Sequence, residues 1–264
     1  MRKKSDSLLM IIILITLYLC SIFMGKLTFA ICLSLFAVAS LRELLLIRGK
    51  DKLPIELELL SYIMVVLFTM NNFSFNIDYY LLDYRLMSAL ILINLIPLVL
   101  LRDKNRYGFK DALYLIGSTM FIGLTYNLLL LFYSYDFNYV MYVFLVAFCT
   151  DSFAFITGRY IGQHKFMSNI SPNKTVEGAV GGLFMGTIIP SLYFISTVDT
   201  GVPVYAIFLI TCGLSILGQL GDLVFSAIKR EYGKKDFIKG GGILDFLDSI
   251  IFISLAFVMI MSIY

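Results

Sequence analysis

The chain has 264 residues, 59% of them hydrophobic and 15% charged, with a net charge of +3 and a mean hydropathy of +0.88. A soluble domain is closer to about a quarter charged, so a soluble globular protein is excluded and nucleic acid is not an expected partner. One histidine, and four cysteines without a C-x-x-C spacing, leave no basis for a zinc site or a disulfide framework.

A run of about 20 apolar residues crosses the hydrocarbon core of a bilayer as a helix. Nine such runs are expected, near 8–25, 27–47, 57–71, 85–101, 112–132, 138–157, 177–195, 203–228 and 243–262. The first follows Arg2, Lys3 and Lys4 without a small-x-small cleavage site, and so reads as a retained helix. The third and fourth are short or carry a charged flank. Arg42 and Glu43, at the end of the second, are expected to snorkel or to pair with each other. The expected fold is an all-α polytopic membrane bundle of about nine helices, a single membrane domain over 1–264. Within it, 1–137 supplies anchoring helices and 138–264 the catalytic helices and loops.

With the N-terminus inside, the inside loops at about 1–7, 48–56, 102–111, 158–176 and 229–242 hold 18 of the 21 Lys and Arg residues. This is a positive-inside pattern. It predicts a multi-pass protein of the cytoplasmic membrane with its polar segments facing the cytoplasm. The cations of 48–56 and 102–111 are accounted for by topology and by attraction to anionic headgroups.

After residue 150 three polar stretches fall on that same side. "TDSFAFITGRYIGQHKF" (150–166) places Asp151 inside a span; "SPNKTVEGAVGG" (171–182) opens another; "GQLGDLVFSAIKR" (218–230) carries Asp222 and runs into "EYGKKDFIKGGGILDFLDS" (231–249). An acid at the centre of a spanning helix costs about 2.5–3.5 kcal/mol on insertion scales, so it marks a function unless it is paired. The plain alternative pairs these acids with Arg159, Lys229 or Arg230. Asp245 and Asp248, three apart, share a helix face and can address one ion or an adjacent pair. Oxygen ligands without His or Cys select a hard cation, chiefly Mg²⁺. Ser171, Asn173, Lys174 and Thr175 precede a helix with Glu177 in its first turn, an arrangement that suits a phosphate at the helix N-terminus or a plain Ser/Thr cap. Gly178, Gly181, Gly182 and Gly186 have the spacing of close helix packing. Phosphates, a hard metal and a membrane floor together imply transfer of a phosphoryl or nucleotidyl group between a soluble nucleotide and a lipid phosphate.

These residues resemble the membrane-integral phosphatidate cytidylyltransferases, or CDP-diacylglycerol synthases. The signature of that family looks like S-x-x-K-R-x-x-x-x-K-D, a linker, then P-G-H-G-G-x-x-D-R-x-D. Ser226, Lys229, Arg230, Lys235, Asp236, Gly241, Gly242, Asp245 and Asp248 match it in order. "LGQLGDLVFSAIKR" is similar to the preceding G-D-L segment, and "ISPNKTVEGAVGG" to an S-P-K-K-T-x-E-G motif. The resemblance covers residues 140–264. It implies an Mg²⁺-dependent nucleotidyltransferase that joins CTP to phosphatidic acid, giving CDP-diacylglycerol and pyrophosphate for phospholipid synthesis. Asp222, Asp245 and Asp248 would hold one metal ion or two. Lys174, Lys229, Arg230 and Lys235 would bind phosphates, with the other matched residues around them, and a homodimer is the assembly to test. This chain departs from the signature at Lys239-Gly240-Gly241-Gly242, which lacks the proline and histidine, and at Phe246, which stands in place of the arginine. Lys239 is the cation expected to compensate. A non-catalytic relative that binds lipid or nucleotide, and an ion-coupled transporter, are the alternatives.

Overall fold

A computed structural model describes residues 25–48, 53–71, 84–101, 107–199, 201–234, 236–237 and 242–261. Its helices are α1 (Lys26–Arg48), α2 (Ile55–Met70), α3 (Tyr84–Leu95), α4 (Pro97–Leu100), α5 (Phe109–Tyr135), α6 (Phe137–Ile161), α7 (Val176–Thr197), α8 (Val204–Glu231) and α9 (Leu244–Met261). Among the described residues six of these, α1 and α5 to α9, are long and apolar enough to cross a membrane. The expected span at 8–25 lies outside the described residues, Gly25 apart. The third expected span is the 16-residue α2, roughly 24 Å long at about 1.5 Å per residue, short of a hydrocarbon core of about 30 Å. The fourth is split into α3 and α4 at Pro97, which has no N–H to continue the ladder.

The chain divides into two compact units, one of Met1–Leu131 with Asp236–Leu244 and the other of Phe132–Lys235 with Asp245–Tyr264. In the first, α1 buries Phe29, Leu33, Ala37 and Leu41 completely, a row spaced by four that forms one helix face. Polar links cross between helices. The hydroxyls of Ser40 and Tyr126 lie 2.7 Å apart, Asn127 donates to the Phe68 carbonyl at 3.0 Å, and Arg48 pairs with Asp111. Tyr107, ahead of α5, donates to the Asn94 carbonyl at 2.9 Å. Burial, reinforced by the charge of Asp111 against that of Arg48, pushes its phenol up to about 12, so it stays a donor at physiological pH.

In the second unit α6 and α7 meet along glycine. Gly178, Gly182 and Gly186, spaced by four, are buried in α7. A Cβ on Gly178 would stand 2.7 Å from the Ala154 carbonyl oxygen, and one on Gly182 2.6 Å from that of Thr150. The small-residue spacing therefore serves close packing, as its sequence suggested. Hydroxyl pairs tie α8 to the same face: Thr150 with Ser215 at 2.8 Å, Tyr142 with Thr211 at 2.8 Å, and Ser191 donating to Thr211 at 2.9 Å. Such bonds average about 0.6 kcal/mol in membrane proteins, so the steric fit carries the larger share. Gly182→Val should cost about 1–3 kcal/mol by overpacking and lower the melting temperature in detergent. An unchanged melting temperature would show that the two helices have room.

Candidate active site

The second unit contains a cavity of about 460 Å³ at the end where α6 stops and α7 begins. Each wall is a helix face that the sequence can generate. From α6 come Asp151, Ala154, Phe155, Gly158 and Arg159, an i, i+3, i+4, i+7, i+8 stripe; from α8 come Gln219 and Asp222; from α9, Asp245 and Asp248. Asn173, Lys174 and Thr175 close it from the loop ahead of α7.

That loop is held by its own short pairing. Phe166 N–H donates to the Lys174 carbonyl at 3.0 Å and Val176 N–H to the His164 carbonyl at 2.9 Å. Thr175 is the N-cap of α7, its hydroxyl accepting from Gly178 N–H at 3.1 Å. Glu177 lies outside the cavity lining. Its carboxylate accepts the backbone N–H groups of Gln163 (3.1 Å) and His164 (3.2 Å) and meets His164 Nδ1 at 2.5 Å. Its place is therefore that of a clamp on the loop that presents Lys174. Ser171 also lies outside the lining.

Two lysines hold two of the acids. Lys174 Nζ is 2.5 Å from Asp222 Oδ2, and Lys229 Nζ, nearly buried, is 2.5 Å from Asp245 Oδ1. The plain alternative of acids paired with Lys229 thus applies to Asp245, and Lys229 does not itself line the cavity. Arg230 donates to the carbonyls of Ile170 (3.2 Å) and Lys234 (3.1 Å), joining the end of α8 to two loops. Ser226 reaches Asp222 Oδ1 at 3.4 Å. Asp248, 5% exposed, accepts from the Ser249 N–H at 2.7 Å and lines the cavity beside Asp222. Asp151 accepts from the Ser249 hydroxyl at 3.3 Å.

Asp151, Asp222 and Asp248 all line this cavity, with Lys174 as the cation in contact with Asp222. Among the described residues no three His, Cys, Asp or Glu side chains converge closely enough to form a ready-made metal cage. The donor chemistry nonetheless fits a hard cation: four carboxylates line the one cavity, with oxygen the ligand atom throughout.

Of the residues expected from sequence, the cavity gathers Asn173, Lys174, Thr175, Asp222, Asp245 and Asp248. Asp236, exposed, and Gly242, buried, belong to the first unit. Lys235, Lys239 and Gly241 lie outside the described residues. Phe246 is 42% exposed and outside the lining. Gln219 had no assigned role, and Arg159 was named only as a possible ion-pair partner of the acids. Arg159 lines the cavity and makes no ion pair among the described residues. Gln219 donates to the Ala179 carbonyl at 3.1 Å, and its own carbonyl faces Lys174 Nζ at 3.4 Å. The period of the α6 stripe that begins at Asp151 is the signal that leads to Arg159.

The chain is 42% identical over 155 residues to a phosphatidate cytidylyltransferase of Staphylococcus haemolyticus and 43% identical over 155 residues to that of Staphylococcus saprophyticus. It is 41% identical over 157 residues to that of Staphylococcus aureus. Each match covers 57% of this chain and 59% of the relative, so the aligned part spans under two thirds of the relatives' length. The profile of the cytidylyltransferase family, by contrast, matches residues 6–264, nearly the whole sequence, and on that match the chain belongs to the cytidylyltransferase family.

Proposed function

We propose that the protein is a phosphatidate cytidylyltransferase, forming CDP-diacylglycerol and pyrophosphate from CTP and phosphatidic acid. The observation that carries this reading is the cavity itself, where four carboxylates and two cations, Lys174 and Arg159, line the end of helices that are otherwise apolar. Such a place suits a reaction between a soluble triphosphate and a phosphate tethered in lipid. Family membership and the activity for which the relatives are named point the same way.

In this reading an oxygen of the lipid phosphate forms a bond to the α-phosphorus of CTP. The bond from that phosphorus to the bridging oxygen breaks, and pyrophosphate leaves. No side-chain nucleophile is required, so positioning and charge neutralisation carry the rate. Lys174 and Arg159 bind phosphate oxygens, Arg159 with the two-pronged geometry of a guanidinium. Lys229 orients Asp245, and Arg230 and Glu177 hold the loops around the entrance. Asp222, Asp245 and Asp248 would hold Mg²⁺, with Asp151 beside them, and a second ion is part of the proposal. When bound, the metal would neutralise charge on the transferring phosphate. The positive-inside pattern supports a nine-helix protein of the cytoplasmic membrane with this cavity opening to the cytoplasm. A homodimer is the proposed assembly.

The test is direct. Detergent-purified protein given labelled CTP should form labelled lipid only when phosphatidic acid is present, and chelation of divalent cations should stop it. Binding of CTP without labelled lipid would overturn the enzyme reading in favour of a non-catalytic relative.

A further inference from the structure

Glu43 of α1 is a carboxylate only 4% exposed. One of its oxygens accepts the backbone N–H of Ile243 at 2.7 Å and the other that of Leu244 at 2.9 Å, 200 and 201 residues further along the chain. These are donors that the start of α9 leaves without a helical acceptor. Charge-assisted bonds of this kind are about twice as strong as neutral ones. Gly242 completes the fit, since a Cβ there would run into the Glu43 carboxylate. The residues just before α9, Gly240, Gly241 and Gly242, bring no side chain with which to fix the helix start themselves.

We propose that Glu43 is a positioning residue for the start of α9. Its carboxylate sets the first turn, and through the next residues of that helix the register of Asp245 and Asp248. The consequence for turnover rests on the cytidylyltransferase reading; the consequence for the helix does not. Glu43 touches no substrate in this account. Its anionic charge also complements the positive end of the helix, which separates it from a neutral residue of the same shape.

The chain contains no tryptophan, so Phe246→Trp puts a single indole into the first turn of α9. Quenching of that indole by acrylamide reports whether the turn is held. In this reporter background Glu43→Ala should raise the quenching constant about twofold, and Glu43→Gln, which keeps one acceptor, should raise it less. In the native background Glu43→Ala should lower kcat by about 10-fold to 100-fold, the cost of small misplacements at a reacting centre. KM for CTP should stay within about threefold, and the Mg²⁺ concentration giving half-maximal rate should rise. Glu43→Asp, one methylene too short, should not rescue; Glu43→Gln should do so in part. If Glu43→Ala fails to fold, the Glu43→Gln variant decides by the same readouts.

Unchanged quenching in a folded variant overturns the proposal. So does a loss confined to KM, or a melting temperature that falls in step with activity, since either marks a merely structural residue. If the native chain makes no CDP-diacylglycerol, the function reading fails on its own and the quenching arm alone decides the role of Glu43.

Discussion

Asp248→Asn should lower the rate of CDP-diacylglycerol synthesis by about 10²–10³-fold or more while leaving the protein as stable as the native chain, or more so. The first half follows from the place of Asp248, almost fully buried at the start of α9 and lining the cavity with Asp222. Removing one group that stabilises charge on a transferring phosphate costs about 10²–10³ in rate. The second half follows from the burial of Asp248 without an ion pair among the described residues, a cost that a neutral amide relieves at nearly constant volume. A gain of stability with a loss of rate is the behaviour of a group kept for function. Asp222→Asn should lose as much rate, with a smaller gain in stability, because it gives up the ion pair with Lys174. Turnover within a few-fold of the native chain in both variants would remove these acids from the chemistry. A fall in melting temperature with unchanged rate would make them structural.

What could be read in advance was whatever repeats within one helix. Apolar runs gave the long helices, the spacing of Asp245 and Asp248 put both on the cavity face of α9, and the polar run at 171–175 located Lys174. The α6 stripe from Asp151 to Arg159 obeys the same period, and it can be followed once one member is known to face the cavity. What escaped depended on partners distant in sequence. Glu43 reads as a headgroup-level acid beside Arg42 because its partners, the N–H groups of Ile243 and Leu244, are backbone and leave no mark in composition. Lys229 reads either as a phosphate ligand or as the partner of an acid, and the fold is needed to find Asp245 against it. Glu177 reads as an anion-site acid until the N–H groups of Gln163 and His164 are found to occupy it. The break in the fourth apolar run was legible in Pro97, which hydropathy alone passes over.

Arg159→Ala should lower kcat and kcat/KM together by about 10²–10³-fold, the mark of a contact made in the transition state. The argument begins with Phe246, which stands where the resembled enzymes carry an arginine. A ring there removes up to five donors and a permanent charge, and a triphosphate still needs them from somewhere. Lys239 was the expected substitute and lies outside the described residues. Arg159 lines the cavity from the last turn of α6, with no ion pair among the described residues to occupy it. Arg159→Lys should recover only part of the rate, because an ammonium keeps the charge and loses the planar fork. Lys239→Ala should cost far less than Arg159→Ala. Phe246→Arg should change the rate by no more than a few-fold, since Phe246 is 42% exposed and its side chain is not part of the cavity wall. Steady-state kinetics on the four variants, with CTP and phosphatidic acid varied in turn, separate the outcomes. If Arg159→Ala turns over within a few-fold of the native chain while Lys239→Ala does not, the compensating cation is Lys239 and the role given to Arg159 is wrong. If Phe246→Arg gains tenfold or more, the native site lacks a guanidinium that Arg159 does not replace.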